Sequence, residues 1–277
     1  CTDMAVGGYP FRIGVTCSQL AVDDHFHGLS ATFGPLRSAA QIYAPGHVLW
    51  ELDGPGQVRS SLGFSLALQW TQLHSSLNAG LDGLDRSSIE AKDLEALLTA
   101  QIGGETVKVR APHAEAHVRR SGDDLDLAAL TRDTVMSLKE QPPVLPPLST
   151  SIDMTLIGKA KYLDLKGDRG EGLYGSEGEI RRLVADMGEG RVLTVSGPIS
   201  VGRDGMVSGK FHVEIEGIKA WHDALRQAFP DDRETIDNAA RVLDAMFAGK
   251  DKGEADLTVT NGVVLLGIIP IAVLPPL

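Results

Sequence analysis

The sequence has no basic run, no apolar stretch of eighteen residues and only two cysteines, and each absence closes off a class of function. Nucleic-acid binding needs clustered Lys and Arg to neutralise phosphate. The 26 basic residues here are dispersed, with Arg119 and Arg120 the nearest to a cluster, against 37 acidic residues and a net charge of −11. No nucleic-acid partner is expected. The same acidity disfavours electrostatic landing on anionic lipid, so any membrane contact has to be apolar. The most apolar stretch, residues 263–277, is interrupted by Gly267, Pro270, Pro275 and Pro276 and does not read as a membrane-spanning helix.

Catalytic signatures are missing as well. No Gly-x-Ser-x-Gly elbow occurs, since Gly63, Phe64 and Ser65 sit in a strand pattern. The Gly-rich stretches 167–179 and 188–191 lack the Lys and Ser/Thr of a phosphate cradle and read as turns. Carboxylates adjacent in sequence, such as Asp123 and Asp124 or Asp231 and Asp232, diverge on regular structure. The best metal candidate is His113, Glu115 and His117, which share one face of a strand at spacings of two. A solvated face opposite Ala114, Ala116 and Val118 accounts for the same letters. Asp23, Asp24, His25 and His27 fall in a presumed loop, and His222 is expected on the outer side of a helix whose Trp221 points inward. The expectation is a chain with no catalytic residue, no metal and no cofactor, hence not an enzyme.

The two cysteines, Cys1 and Cys17, lie close together. A bridge between them closes a loop of about 15 residues and stabilises by roughly 3 kcal/mol. The alternative makes Cys1 the lipid-bearing first residue of a lipoprotein and leaves Cys17 unpaired. Both place the protein outside the cytoplasm. A first residue that is Cys and not Met raises the expectation of a leader or anchor upstream.

What the sequence does have is alternation. Apolar residues at every second position mark half-buried strands: Phe11, Ile13, Val15 and Cys17; Val48, Trp50 and Leu52; Phe64, Leu66, Leu68 and Trp70; Val107 and Val109; Ile152, Met154 and Leu156; Phe211, Val213 and Ile215; Leu257 and Val259. Asn261 and Gly262 predict a tight hairpin turn, and residues 202–209 a second one. Helical spacing predicts helices over 178–187 (Ile180, Leu183, Val184, Met187), from 217 (Ile218, Trp221, Leu225, Phe229) and after Pro230 (Ile236, Ala240, Leu243, Phe247), the last two forming a helical hairpin over 217–248. The phrase VLPPL occurs at 144–148 and again at 273–277. The first copy lies in a Pro-rich stretch that reads as a linker, 142–150, between strand-rich halves at 1–141 and 151–277.

The fold class expected is therefore mainly β, within α+β: curved antiparallel sheets forming a half-barrel or sandwich, with a helical hairpin near the C-terminus. About a dozen one-sided strands present more apolar face than three short helices can cover. That face meets a second sheet, closes on itself, or curls into a trough for an apolar ligand. The candidate ligand-binding residues are Phe64, Leu66, Leu68 and Trp70 in the first half and Phe211, Val213, Ile215, Leu257 and Val259 in the second.

Four phrases in order resemble a known family. Gly8 to Arg12 leading to Cys17, the segment Ala40 to Pro55, the strand-to-helix unit from Gly209 to Leu225 and the closing segment from Val259 to Leu277 are similar to those of the bacterial envelope proteins catalogued as domain of unknown function 2125. The resemblance implies a periplasmic protein tethered to the inner membrane by a helix upstream of Cys1, which favours the Cys1–Cys17 bridge over a lipidated Cys1. It supplies no catalytic residue. The strand-rich pattern with a late helical hairpin also resembles AsmA-like lipid-handling proteins in style of fold. The function expected is non-enzymatic binding or transfer of a lipid or other apolar small molecule in the cell envelope. The alternative is a scaffolding envelope protein that binds another protein and no ligand.

Overall fold

The computed structural model describes residues 1–24, 28–61, 63–100, 106–138, 141–165 and 174–277. His25, His27, residues 139–140 of the Pro-rich stretch and residues 167–173 lie outside that set. The chain divides into two compact units, one made of Cys1–Arg119 and Thr131–Val144, the other of Arg120–Leu130 and Leu145–Leu277.

The first unit contains β1 (Ala5–Gly7), β2 (Arg12–Cys17), β3 (Leu20–Asp24), β4 (Leu29–Phe33), β5 (Leu36–Gln41), β6 (Ala44–Leu52), β7 (Gly56–Ser60), β8 (Phe64–Gln69), β9 (Gln72–Ala79), β10 (Leu84–Ala100) and most of β11 (Thr106–Ser121). All pairings are antiparallel. On one side β3 pairs with β4, β4 with β7 and β7 with β8. On the other β1 pairs with β2, β2 with β5, β5 with β6 and β6 with β9. The long β10 joins the two branches, pairing with β9 over its first half and with β8 over its second, while β11 runs along its opposite edge.

In effect β2–β3, β4–β5, β6–β7 and β8–β9 are four long strands, each broken once at the same level. The residues there explain the crease. Pro35 and Pro55 have no N–H to give a ladder. Gly34 and Gly56 stand where a side chain has no room: a Cβ at Gly34 would sit 2.7 Å from the Asp53 carbonyl and one at Gly56 2.9 Å from the Phe33 ring. Trp70 fills the angle. Its Nε1–H donates to the Leu52 carbonyl at 2.7 Å, and its ring lies 6.5 Å, centroid to centroid, from Phe33. On the unbroken β10 the crease is met by Asp93 in the left-handed region, whose carboxylate accepts from the Thr71 hydroxyl at 2.7 Å. Cys1 and Cys17 form a disulfide, which ties the N-terminus to the end of β2.

β12 (Asp124–Leu138) has residues in both units. The second unit continues with β13 (Leu148–Leu156), β14 (Ser176–Asp186), β15 (Val192–Val201), β16 (Val207–Glu216), β17 (Lys252–Thr260), β18 (Val263–Leu266) and β19 (Ile269–Val273), each paired antiparallel with the next. Between β16 and β17 stand α1 (Ile218–Ala228) and α2 (Arg233–Met246), the helical hairpin expected from the spacing. Asn261 and Gly262 both take positive φ, as a tight hairpin turn requires. The core gathers Ile180, Val207, Phe211, Val259 and Val264, with Met154, Val195 and Leu257 packed against it.

Two expectations are corrected. Asp23 and Asp24 end β3 and do not lie in a loop. Residues 178–187 are not a helix, because β14 runs through them. Against both neighbours the register slips between Ile180 and Leu183, with Arg182 opposite Asp153 but Ile180 opposite Met154. The extra residue of this bulge puts Ile180 and Leu183 on one face at a spacing of three, which imitates helical periodicity. The bulge aims Arg181 at Asp126, Asp153 and Thr155, all of which it contacts.

If Trp70 holds the crease, Trp70→Ala costs about 3 kcal/mol in urea unfolding, and Trp70→Phe, which keeps a ring but removes the donor, costs about 1 kcal/mol. Equal effects from both would contradict the hydrogen bond's part in it.

Candidate functional site

Antiparallel partners share a face, so register decides which side chains meet. Across the first unit a single row runs Ala5, Thr16, Arg37, Glu51, His74, Glu90 and Glu115, each opposite the next on neighbouring strands. A parallel row runs Ala39, Leu49, Ser76, Ser88 and His117. Two hollows open over this face. One of about 490 Å³ lies over β1, β2, β5 and β6. The other, also about 490 Å³, lies over β6, β9, β10 and β11, and the two share Leu49, Trp50 and Glu51.

Charges on the face are paired along the row. Arg37 donates to both oxygens of Asp53 at 2.7 Å and to Glu51 at 3.3 Å. The Arg37 hydrogen bonds hold the Asp53 carboxyl below the usual range. His74 meets Glu90 at 3.1 Å and His113 lies 3.7 Å from Glu90. Glu115 sits between two imidazoles, with His113 Nε2 at 2.5 Å and His117 Nε2 at 3.2 Å. Those two hydrogen bonds, His113 first, depress its pKa. His117 Nδ1 in turn lies 2.9 Å from the Ser88 hydroxyl.

Ser88, His117 and Glu115 thus line up as hydroxyl, imidazole and carboxylate. The surroundings differ from a hydrolase site. Ser88 lies within a strand paired on both edges, which commits the local N–H groups to ladders instead of an oxyanion hole. Among the described residues no group of three His, Cys, Asp or Glu converges to hold a metal ion. The spacing in the sequence pointed to His113, Glu115 and His117. It missed His74, Ser88 and Glu90, which join them only through the β9–β10–β11 register.

The apolar candidates fall in two places. In the first unit Phe64, Leu66 and Leu68 stand opposite Ala100, Leu98 and Ala96, and Leu66 and Leu68 also face Val58 and Gly56. Trp70 is at the crease. All four are partly exposed, and Leu98 beside Leu66 is exposed. In the second unit Phe211 faces Leu257, and Val259 faces Gly209 on the adjacent strand. Phe211 and Val259 are buried in the core, while Val213, Ile215 and Leu257 remain partly open.

A third hollow, about 440 Å³, lies on the helical hairpin and is lined by Lys219, His222, Arg226, Asp237, Arg241 and Asp244 among others. His222, expected at the surface, is half-buried between the two helices' side chains and is paired. Its Nε2 lies 2.8 Å from Asp237, which also draws Arg226 at 3.5 Å. The Asp237 hydrogen bond raises the His222 pKa.

A family model described as an uncharacterized protein conserved in bacteria (DUF2125) matches residues 1–275. No curated protein and no solved structure matches the chain.

Glu115 and His222 predict opposite pH responses. Glu115, with a depressed pKa, stabilises above the ordinary Glu value of about 4.3 and loses that contribution as pH falls through its lower folded value. Glu115→Gln should therefore cost under about 1 kcal/mol at pH 7 and progressively less as pH falls below about 4.3. His222, with a raised pKa, stabilises fully below about pH 6.5 and less as pH rises through the higher folded value. His222→Gln should lower the Tm more at pH 5.5 than at pH 9. A His222→Gln deficit that is larger at pH 9 would refute the link to Asp237.

Proposed function

The chain belongs to the DUF2125 family of uncharacterized bacterial proteins, and we propose that it is a non-enzymatic, periplasmic protein of the inner-membrane surface that binds an apolar ligand such as a lipid acyl chain on its open sheet faces. The observation that carries this reading is how little of the apolar face is closed off. The chain exposes 16984 Å², whereas two separate compact bodies of half its mass would expose about 14,000 Å² together. Among the described residues no large side chain is completely buried. Leu66, Leu68 and Leu98 in the first unit, and Val213 and Leu257 in the second, keep part of their surface open on otherwise apolar faces.

Such a face gains by taking in hydrocarbon, at about 25 cal/mol for each Å² removed from water. Binding requires no chemistry, in keeping with a polar row whose charges are matched with one another. The Cys1–Cys17 disulfide supports an oxidising compartment. Neither the family match nor any further comparison ties the chain to AsmA-like proteins.

Native mass spectrometry of the purified protein should reveal adducts in the mass range of a lipid, recoverable by organic extraction. Leu98→Ser, a change at an exposed side chain, should weaken a fluorescent fatty-acid probe about tenfold, the equivalent of about 1.4 kcal/mol of lost apolar contact. A protein that copurifies with no lipid and binds no probe would leave the scaffolding reading in its place.

A further inference from the structure

We infer that three neighbouring turns at one rim of the first unit form a membrane-inserting edge, which docks on the surface of a lipid bilayer. The turn after β1 carries Tyr9 and Phe11, the turn between β5 and β6 carries Ile42 and Tyr43, and the turn between β9 and β10 carries Leu81. Tyr9, Phe11, Tyr43 and Leu81 expose 85%, 82%, 82% and 100% of their surface, and Ile42 is exposed as well.

Pairing brings these tips to one height. Arg12 stands opposite Gln41, and Gln41 opposite Ala44. The Ile42 N–H donates to the Phe11 carbonyl at 3.4 Å, joining the first two turns directly. The His47–Asn78 pairing, carried on three residues, brings Leu81 level with Ala44. Since β2 pairs with β5 and β6 with β9, the three turns follow one another along the rim.

Single apolar residues on a surface need no explanation. Five at the tips of three consecutive turns are a concentrated feature. A protein partner is met by a contiguous patch with a packed centre. Separate prongs instead suit a fluid apolar phase that closes around each one, and tyrosine, with an apolar ring and a polar hydroxyl, suits its boundary with water. Charge points the same way. Within the turn residues 8–12, 41–45 and 80–83 the only charges are Arg12 and Asp82, which cancel, on a chain of net charge −11. The rim carries no net charge on an anionic molecule, so it docks by desolvating its tips and not by attracting lipid headgroups. This inference does not depend on a bound ligand. A carrier without such an edge still copurifies with lipid, and the edge works on a protein that carries nothing.

The test is flotation of the 277-residue chain with vesicles of phosphatidylcholine, and of phosphatidylcholine mixed with phosphatidylglycerol, at low and high salt. The chain should float with both, independently of salt. Phe11→Ser/Tyr43→Ser/Leu81→Ser should weaken flotation at least about tenfold with circular dichroism and melting unchanged. Independently, the variant Phe11→Trp should show a blue-shifted emission component with vesicles and be quenched by brominated acyl chains. No flotation of the unaltered chain, flotation abolished by salt, undiminished flotation of the triple variant, or a Trp at position 11 that brominated lipid does not reach would each overturn the inference. Rim-dependent self-association in place of flotation would overturn it by assigning the rim to a second copy.

Discussion

The antiparallel backbone ladder is the constraint on which everything else rests. Because each strand must satisfy its N–H and C=O groups on its neighbours, one register is transmitted from strand to strand, and side chains from β1 to β11 are sorted into rows without contacting one another in sequence. The row from Arg37 through Glu51, His74 and Glu90 to Glu115 draws on residues nearly eighty positions apart. On the alternate positions of the same strands it sets Val48 opposite Leu77 and Leu73 opposite Ala91. A two-faced sheet follows from pairing alone, before any tertiary packing is considered.

This explains what was legible in the sequence. Period-two alternation is a local property, so β8, β16 and β17 could be read from Phe64 to Leu68, from Phe211 to Ile215 and from Leu257 to Val259. The turn at Asn261 and Gly262 was equally local, since both residue types tolerate positive φ. Residues 178–187 misled because a bulge at Arg181 changes the phase of the pattern, and phase is all that distinguishes a bulged strand from a helix over ten residues. Register between strands leaves no local mark. His113, Glu115 and His117 were visible as a group, but Ser88, Glu90 and His74 joined them only once β9, β10 and β11 were aligned. The exposed tips at Tyr9, Phe11, Tyr43 and Leu81 were illegible for the same reason, because no local pattern says that three turns share an edge.

The polar row and the apolar faces bear differently on function. Arg37 with Asp53, and Glu115 with His113 and His117, are saturated pairs on a solvated surface, and pairs of that kind contribute little stability and have little reactivity left over. The apolar faces are the unsaturated part of the molecule. Half-open leucines and valines on a hydrogen-bonded ladder are fixed in direction, so under the proposed reading a ligand taken up there would impose little ordering cost on the protein.

The meander of the second unit has a consequence for how the chain folds. From β13 to β19 every strand pairs with the one next in sequence, and two connections are long, residues 157–175 between β13 and β14 and the helical hairpin between β16 and β17. Loop-closure entropy is therefore small at nearly every step, and the contact order is low for a β-structure of this size. Such a sheet can grow hairpin by hairpin from its N-terminal side as it is synthesised, with no strand waiting for a distant partner except β13, which waits for residues 157–175, and β16, whose far edge stays open until both helices have been made.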